Sequence, residues 1–174
     1  MTPTAIWHHI ECQMDTTVAA ANRDVARYHS LSRTGRPGDH AYVVLLGLTS
    51  FDLPVLLRLI EKGLSWRTLS RFVRNTGLTL EQVAELVAIP RRTLARRKIE
   101  GRLSSQESDR LLRAARIYGR ALELFDGDRD AATDWLTHSN AALGGVPPIQ
   151  LAQTELGAKE VDHLIGRIEH GIFS

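Results

Sequence analysis

From residue 53 onward apolar positions recur at spacings of three and four, with no alternating stretch, so the pattern predicts helices throughout. A helix over residues 53–62 ends at Gly63, and one over 65–75 ends just before Gly77; both glycines stand where a helix C-terminus favours positive φ. Thr79 followed by Gln82 is a capping-box pair that starts a helix to about residue 87. A tight turn at Ala88 and Ile89 leads into a helix over residues 90–99, with Pro90 in its first turn and Gly101 closing it. Ser104 with Glu107 is a second capping box. The helix it opens, about twenty residues long, carries Leu111, Ala115, Tyr118, Leu122 and Phe125 as one stripe.

Gly127 and Asp128 break that helix, and a shorter one follows to about residue 137 with Ala131, Trp135 and Leu136 inward. Residues 140–148 read as a loop leading to a short helix over 149–156. Gly157 separates it from a last helix over 158–170, whose Val161, Leu164, Ile165 and Ile168 keep the 3.6 period. Upstream, the apolar run at 42–48 is either a strand or a buried helical turn. Residues 1–40 are weakly patterned: loop at 1–3 and 32–40, and a short helix over 16–28 favoured by Ala19, Ala20, Ala21 and Ala26. The expectation is an all-α protein divided as 1–40, 41–103 and 104–174, its two helical units joined through the long helix.

The net charge of +2 conceals a strong division. Residues 1–57 carry 4 basic and 5 acidic side chains, residues 58–120 carry 15 and 6 for a net of +9, and residues 121–174 carry 3 and 9 for −6. Two faces with different partners follow, nucleic acid for the first and a protein for the second, unless the two halves neutralise each other within the fold. The basic block contains the helix–turn–helix of residues 79–97, TLEQVAELVAIPRRTLARR. Val83, Leu86 and Val87 can pack on Ile89, Leu94 and Ile99, leaving the second helix to enter a major groove. Arg91, Arg92, Thr93 and Arg96 are then the candidates for base edges, and Arg97 and Lys98 for phosphates. Arg67, Arg71 and Arg74 of the preceding helix flank them. The turn lacks its usual glycine, and a helix–turn–helix kept only for protein contact remains open. One such unit covers few base pairs, so a homodimer on a near-palindrome is expected.

Other chemistry finds little support. A single cysteine, Cys12, cannot form an internal disulfide or a multi-cysteine metal site, and has no identifiable activating base. His8, His9, His29, His40, His138, His163 and His170 lack ligand spacing, and Asp126, Asp128 and Asp130 do not complete a calcium loop and read as acids before the next helix. No phosphate-cradling glycine loop occurs. The longest apolar run is about half what a bilayer core requires, and no leader pattern opens the chain, which favours a cytoplasmic address. The reading calls for no enzyme, no metal and no cofactor.

Certain words in the acidic part are more specific: Trp135-Leu136, Leu143-Gly144-Gly145 followed by Pro147-Pro148, Glu155-Leu156-Gly157, and the closing LIGRIEHG of residues 164–171. In this order and spacing the chain from about residue 50 resembles antitoxins of the Xre/MbcA/ParS type, and more narrowly those partnered with RES-domain toxins; Pro147 stands where Thr is commoner. The resemblance implies an Xre-like helix–turn–helix joined to a small helical toxin-binding domain. It implies a repressor that silences an NAD+-destroying RES toxin and binds operator DNA of its own operon. It makes the last helix and tail the toxin contact, with Arg167, Glu169, His170, Gly171, Ile172 and Phe173 as candidates, while Trp135, Leu136, Leu143, Leu156, Val161, Leu164 and Ile168 read as core and Gly144, Gly145 and Gly157 as turn residues. Two alternatives are a stand-alone dimeric transcription regulator with no toxin partner, and an adaptor whose basic helix no longer reads DNA.

Overall fold

The computed structural model describes residues 41–50 and 52–171. Expectations that fall on residues 1–40, including the helix over 16–28, Cys12 and four of the histidines, lie outside the described residues. The rest is all-α. In chain order the helices are α1 (Ala41–Leu46), α2 (Leu53–Lys62), α3 (Trp66–Thr76), α4 (Leu80–Leu86), α5 (Arg91–Glu100), α6 (Ser105–Leu124), α7 (Arg129–Thr137), a 3-10 turn (Ala141–Leu143), α8 (Pro148–Leu151) and α9 (Glu155–Glu169).

The twenty-residue α6 is the axis on which the others assemble. Leu111, Ala114, Ala115, Ile117, Tyr118, Ala121 and Leu122 are all buried, forming one broad covered face of the helix. Both capping boxes form. Ser104 Oγ accepts from the Glu107 N–H while Glu107 Oε2 accepts from the Ser104 N–H, and Thr79 and Gln82 make the same reciprocal pair. The ambiguous run at 42–48 folds as α1 and packs on α6, where Gly119 admits it: a Cβ there would lie 2.8 Å from that of Ala41. Asn75 ends α1 by donating from Nδ2 to the carbonyls of Leu45 (3.0 Å) and Val44 (3.4 Å).

One apolar cluster runs from Ala41 to Ile165. At its centre Phe72 and Tyr118 meet edge to face at 6.1 Å. The Tyr118 hydroxyl donates toward the Thr76 carbonyl at 2.9 Å and lies 2.6 Å from Thr133 Oγ1, which itself donates to that same carbonyl. The end of α3, the middle of α6 and α7 are thus tied at one buried point.

Three expectations are corrected. In α7 it is Ala132 that is buried, together with Leu136, while Ala131 is half-buried. Gly157 lies inside α9, whose N-cap is Thr154. It is small because the helix passes against the Leu151 carbonyl, leaving no room for a Cβ, so it serves close approach and not a turn. Leu156 is 73% exposed, since its neighbours Gly157, Ala158 and Val161 take the inward face. Among the described residues no helix is long and apolar enough to cross a membrane.

Candidate functional site

Two surfaces stand out, and the first is the α4–turn–α5 unit. Its turn is built without glycine: Ala88 takes φ +50°, a left-handed conformation that costs an L-residue about 1 kcal/mol or more. Backbone bonds from Ala88 N–H to Glu85 O (2.9 Å) and Ile89 N–H to Ala84 O (2.7 Å) hold it. Arg110 of α6 braces the turn from below by donating to the Val87 carbonyl at 3.3 Å.

Beyond the turn α5 begins at Arg91 after the N-cap residue Pro90, with no side-chain cap and no acidic residue in its first turn. No residue of α5 is buried. Leu94 and Thr93 are half-buried, and Arg91, Arg92, Ala95, Arg96, Lys98 and Ile99 are exposed. An open groove of about 470 Å³ separates the helix from α4, lined by Trp66, Leu80, Ala84, Ile89, Leu94 and Lys98. Ile99 was expected to pack inward, and it is instead 88% exposed. The reason is angular: five residues beyond Leu94 is about 140° around the helix, so the two cannot share a face.

The arginines divide by direction. Arg91 and Arg92 make no ion pair with the described residues, and Arg96 has only a loose 3.5 Å contact with Glu100. Arg97 turns back into the molecule, its Nε 2.8 Å from Glu107 Oε2 and its Nη1 2.7 Å from Glu100, with the side chain 17% exposed. These carboxylates, Glu107 foremost, raise the guanidinium pKa further. Burial alone would push the Glu107 carboxyl up, but the Ser104 N–H and Arg97 outweigh it and hold the carboxyl below its ordinary value. Of the flanking arginines, Arg67 is exposed, while Arg71 is half-buried and donates to the Gly47 carbonyl at the end of α1.

The second surface is the outer face of α9. Gly157, Ala158, Val161, Leu164 and Ile165 are buried against the body, and Ile168 is half-buried. One edge is pinned by a row of ion pairs: Arg113 to Glu155 (2.9 Å), and Arg120 to both Asp162 (3.0 Å) and Glu169 (2.8 Å). The acids stand seven residues apart on α9 and the arginines seven apart on α6, so the two helices run parallel along this seam. Burial would lower the Arg120 pKa, but Glu169 and Asp162 overcome it and raise it.

The opposite side presents Leu156, Lys159, His163, Arg167 and His170, all exposed. Of the expected contact residues, Arg167, His170 and Gly171 are therefore open to solvent, and Glu169 is engaged by Arg120. Ile172 and Phe173 lie outside the described residues. Trp135 and Leu143 are only partly buried against the core, Trp135 beside Phe125 with ring centroids 6.3 Å apart. Gly144 and Gly145 do take positive φ, +70° and +79°, in the turn after the 3-10 segment. Among the described residues no group of three or more His, Cys, Asp or Glu is placed to hold a metal ion.

What sequence reasoning missed is the apolar pair Ala95 and Ile99 on the outer face of α5. Helical spacing from Leu94 carries that signal.

Comparison with known proteins bears on both surfaces. Residues 55–116 match the antitoxin Xre-like helix-turn-helix domain, and residues 120–171 match the antitoxin Xre/MbcA/ParS C-terminal toxin-binding domain. The chain is 35% identical over 130 residues to the antitoxin Xre of Yersinia enterocolitica, an alignment covering 74% of this chain and 88% of the relative. It is 33% identical over 130 residues, with the same coverage, to the antitoxin Xre of Photorhabdus laumondii. A Sphingobium protein named Prs ADP-ribosylating antitoxin is 26% identical over 124 residues, covering 66% of this chain and 78% of that one. With both domain matches in order on one chain, and with relatives aligned over most of their length, the protein belongs to the Xre family of antitoxins.

Proposed function

We propose that the chain neutralises a RES-domain, NAD+-degrading toxin and represses its own operon as a homodimer on operator DNA, acting by binding alone. The observation that carries the reading is the presence of two separate outward surfaces assembled on one helix, α6: a basic, uncapped α5 tied to its first turn, and the exposed Leu156, Lys159, His163, Arg167 and His170 of α9, which packs alongside it. The RES partner rests on the resemblance of residues 135–171 to antitoxins of that pairing.

On the DNA side, Arg91, Arg92, Thr93 and Arg96 reach base edges or line the groove, and Lys98 and Arg67 meet phosphates. Two cations at the first positions of α5 oppose the helix dipole. A DNA phosphate at that N-terminus relieves both them and the uncapped N–H groups. Arg97 orients α5 and contributes little net charge. On the toxin side, Arg167, His170 and Gly171 form the contact, continued by Ile172 and Phe173. An arginine delivered into a cleft that normally holds a dinucleotide phosphate is electrostatically apt. Residues 41–103 and 104–174 act as the two functional halves.

Co-expression with a RES-domain toxin, followed by mass measurement of the complex and footprinting on the promoter upstream of this gene, tests the assignment. A stable complex with NAD+ preserved, and one protected promoter site, are expected. A toxin that stays free and depletes NAD+ overturns the neutralisation, and protection no better than on random DNA overturns the repression.

A further inference from the structure

The outer face of α5 carries Arg92, Arg96 and Ile99, at i, i+4 and i+7, with Ala95 at i+3 on its border, where it also lines the groove beside α4. Arg92 and Arg96 are donors. Ala95 and Ile99 carry only methyl and methylene groups, and both are exposed, Ile99 at 88%. An isoleucine so placed gives the fold nothing, and it stands on the very face whose arginines reach outward. We propose that Ala95 and Ile99 are specificity residues that read thymine C5-methyl groups in the major groove, beside guanines read by Arg92 and Arg96.

The chemistry fits the groove on both counts. Guanine offers O6 and N7 to an arginine fork, and thymine is the one standard base that presents a methyl group there. Ile99 lies seven residues, about 10 Å, along the helix from Arg92, which is about three base-pair steps of 3.4 Å. The operator half-site is therefore expected to place thymine within about three or four base pairs of a guanine. The pairing also commits the exposed side chain to one occupant. A protein partner on the same face would have to bury Arg92 and Arg96, and among the described residues no acid is placed to receive Arg92.

This inference rests on the DNA-binding reading, and the experiment separates the two. Binding of the purified full-length protein to its footprinted promoter site is measured at fixed salt, with each thymine in turn replaced by deoxyuridine, which deletes the methyl and leaves every hydrogen-bonding group. Affinity should fall about four-fold at one or two positions per half-site, the value of one buried methyl, and be unchanged elsewhere. The Ile99→Ser variant, which alters no internal packing, should bind the thymine and deoxyuridine sites equally at the position Ile99 reads. Undiminished affinity for a site in which all thymines are replaced overturns the proposal while leaving DNA binding intact. So does an Ile99→Ser protein that still discriminates at every position, or one whose only change is in oligomeric state. Failure to bind the promoter at all overturns the DNA-binding reading, and this proposal with it.

Discussion

Arg97 and Glu107 join the exposed helix α5 to the first turn of α6 through one carboxylate. Glu107 Oε2 accepts from Arg97 Nε at 2.8 Å and from the Ser104 N–H at 2.7 Å. The capping box of the longest helix and the attachment of the most exposed one therefore share an atom. A helix with no buried residue depends on such anchors, and it has this one besides the half-buried Leu94 and the Gly101 carbonyl at its end, which accepts from the Trp66 N–H at 2.8 Å.

Arg97→Ala is accordingly expected to destabilise the fold by about 2 kcal/mol, because it leaves a carboxylate that is 10% exposed without its cation. Thermal unfolding measures this. The same variant should weaken promoter binding while leaving its salt dependence nearly unaltered, since the Arg97 charge is already neutralised by Glu107 and Glu100. Lys98→Ala, at an exposed position assigned to a phosphate, should do the reverse. Stability stays the same, and the slope of log K against log salt becomes shallower by about one for each phosphate lost. Equal slopes for both variants would show that Arg97 and Lys98 are not divided as their directions require.

Acid pH tests the other half of the pair. The Glu107 carboxyl is held below its ordinary value of 4.5 in the folded protein. The stability this supplies is present above that value and is lost as pH falls through the lower, folded one. Unfolding followed from pH 6 down to 2 should thus show a loss in the wild type that Glu107→Gln lacks. The variant will be less stable at pH 6, and the difference between the two proteins should narrow as the solution is acidified. A constant gap across the range would mean that Glu107 is uncharged, or unpaired, in solution.

Tyr118 gives the alkaline counterpart. Burial pushes its hydroxyl up to about 12, against a partial opposing pull from Thr133 and Arg129. A raised phenol favours the folded state below its unfolded value of 10, and that advantage disappears as pH climbs toward 12. Between those limits the wild type should lose about 2 kcal/mol more than Tyr118→Phe does. At neutral pH the variant should cost about 1 kcal/mol, for the hydrogen bond to the Thr76 carbonyl; Thr133 still satisfies that carbonyl, which keeps the penalty small.

Most of the helical order was legible because its punctuation is local. Thr79 with Gln82, Ser104 with Glu107, and the glycines at 63, 77 and 101 act on neighbours within a turn, and each stands where the pattern places it. Gly157 was misread because a helical glycine and a helix-ending glycine look alike in sequence. Only the proximity of the Leu151 carbonyl, a tertiary fact, distinguishes them. The same holds for charge. Arg97 and Arg96 are adjacent and chemically identical, yet one faces Glu107, ten residues on, and the other faces solvent. Periodicity could show that they differ in direction but not that a partner waited on one side. The apolar run at 42–48 was ambiguous for a related reason: its helix is ended by Asn75 and admitted by Gly119, both far away in sequence.

The seam between α6 and α9 separates positioning from contact on the second surface. Arg120 holds Asp162 and Glu169 with its side chain 26% exposed. Arg120→Ala should therefore lower stability by about 1 kcal/mol, an effect that shrinks at high salt. It should also weaken neutralisation of the co-expressed toxin, because α9 is no longer held in register. Arg167 is exposed on the free face and has no ion pair in the described part of the molecule. Arg167→Ala should thus leave the melting temperature unchanged and lower toxin affinity at least ten-fold, with Arg167→Lys recovering only part, since a lysine cannot fork to a carboxylate or phosphate. Melting curves and titration of NAD+ loss against added antitoxin distinguish the cases. If Arg167→Ala protects NAD+ as well as the wild type while Arg120→Ala does not, the contact lies along the seam edge of α9 and not on its outer face.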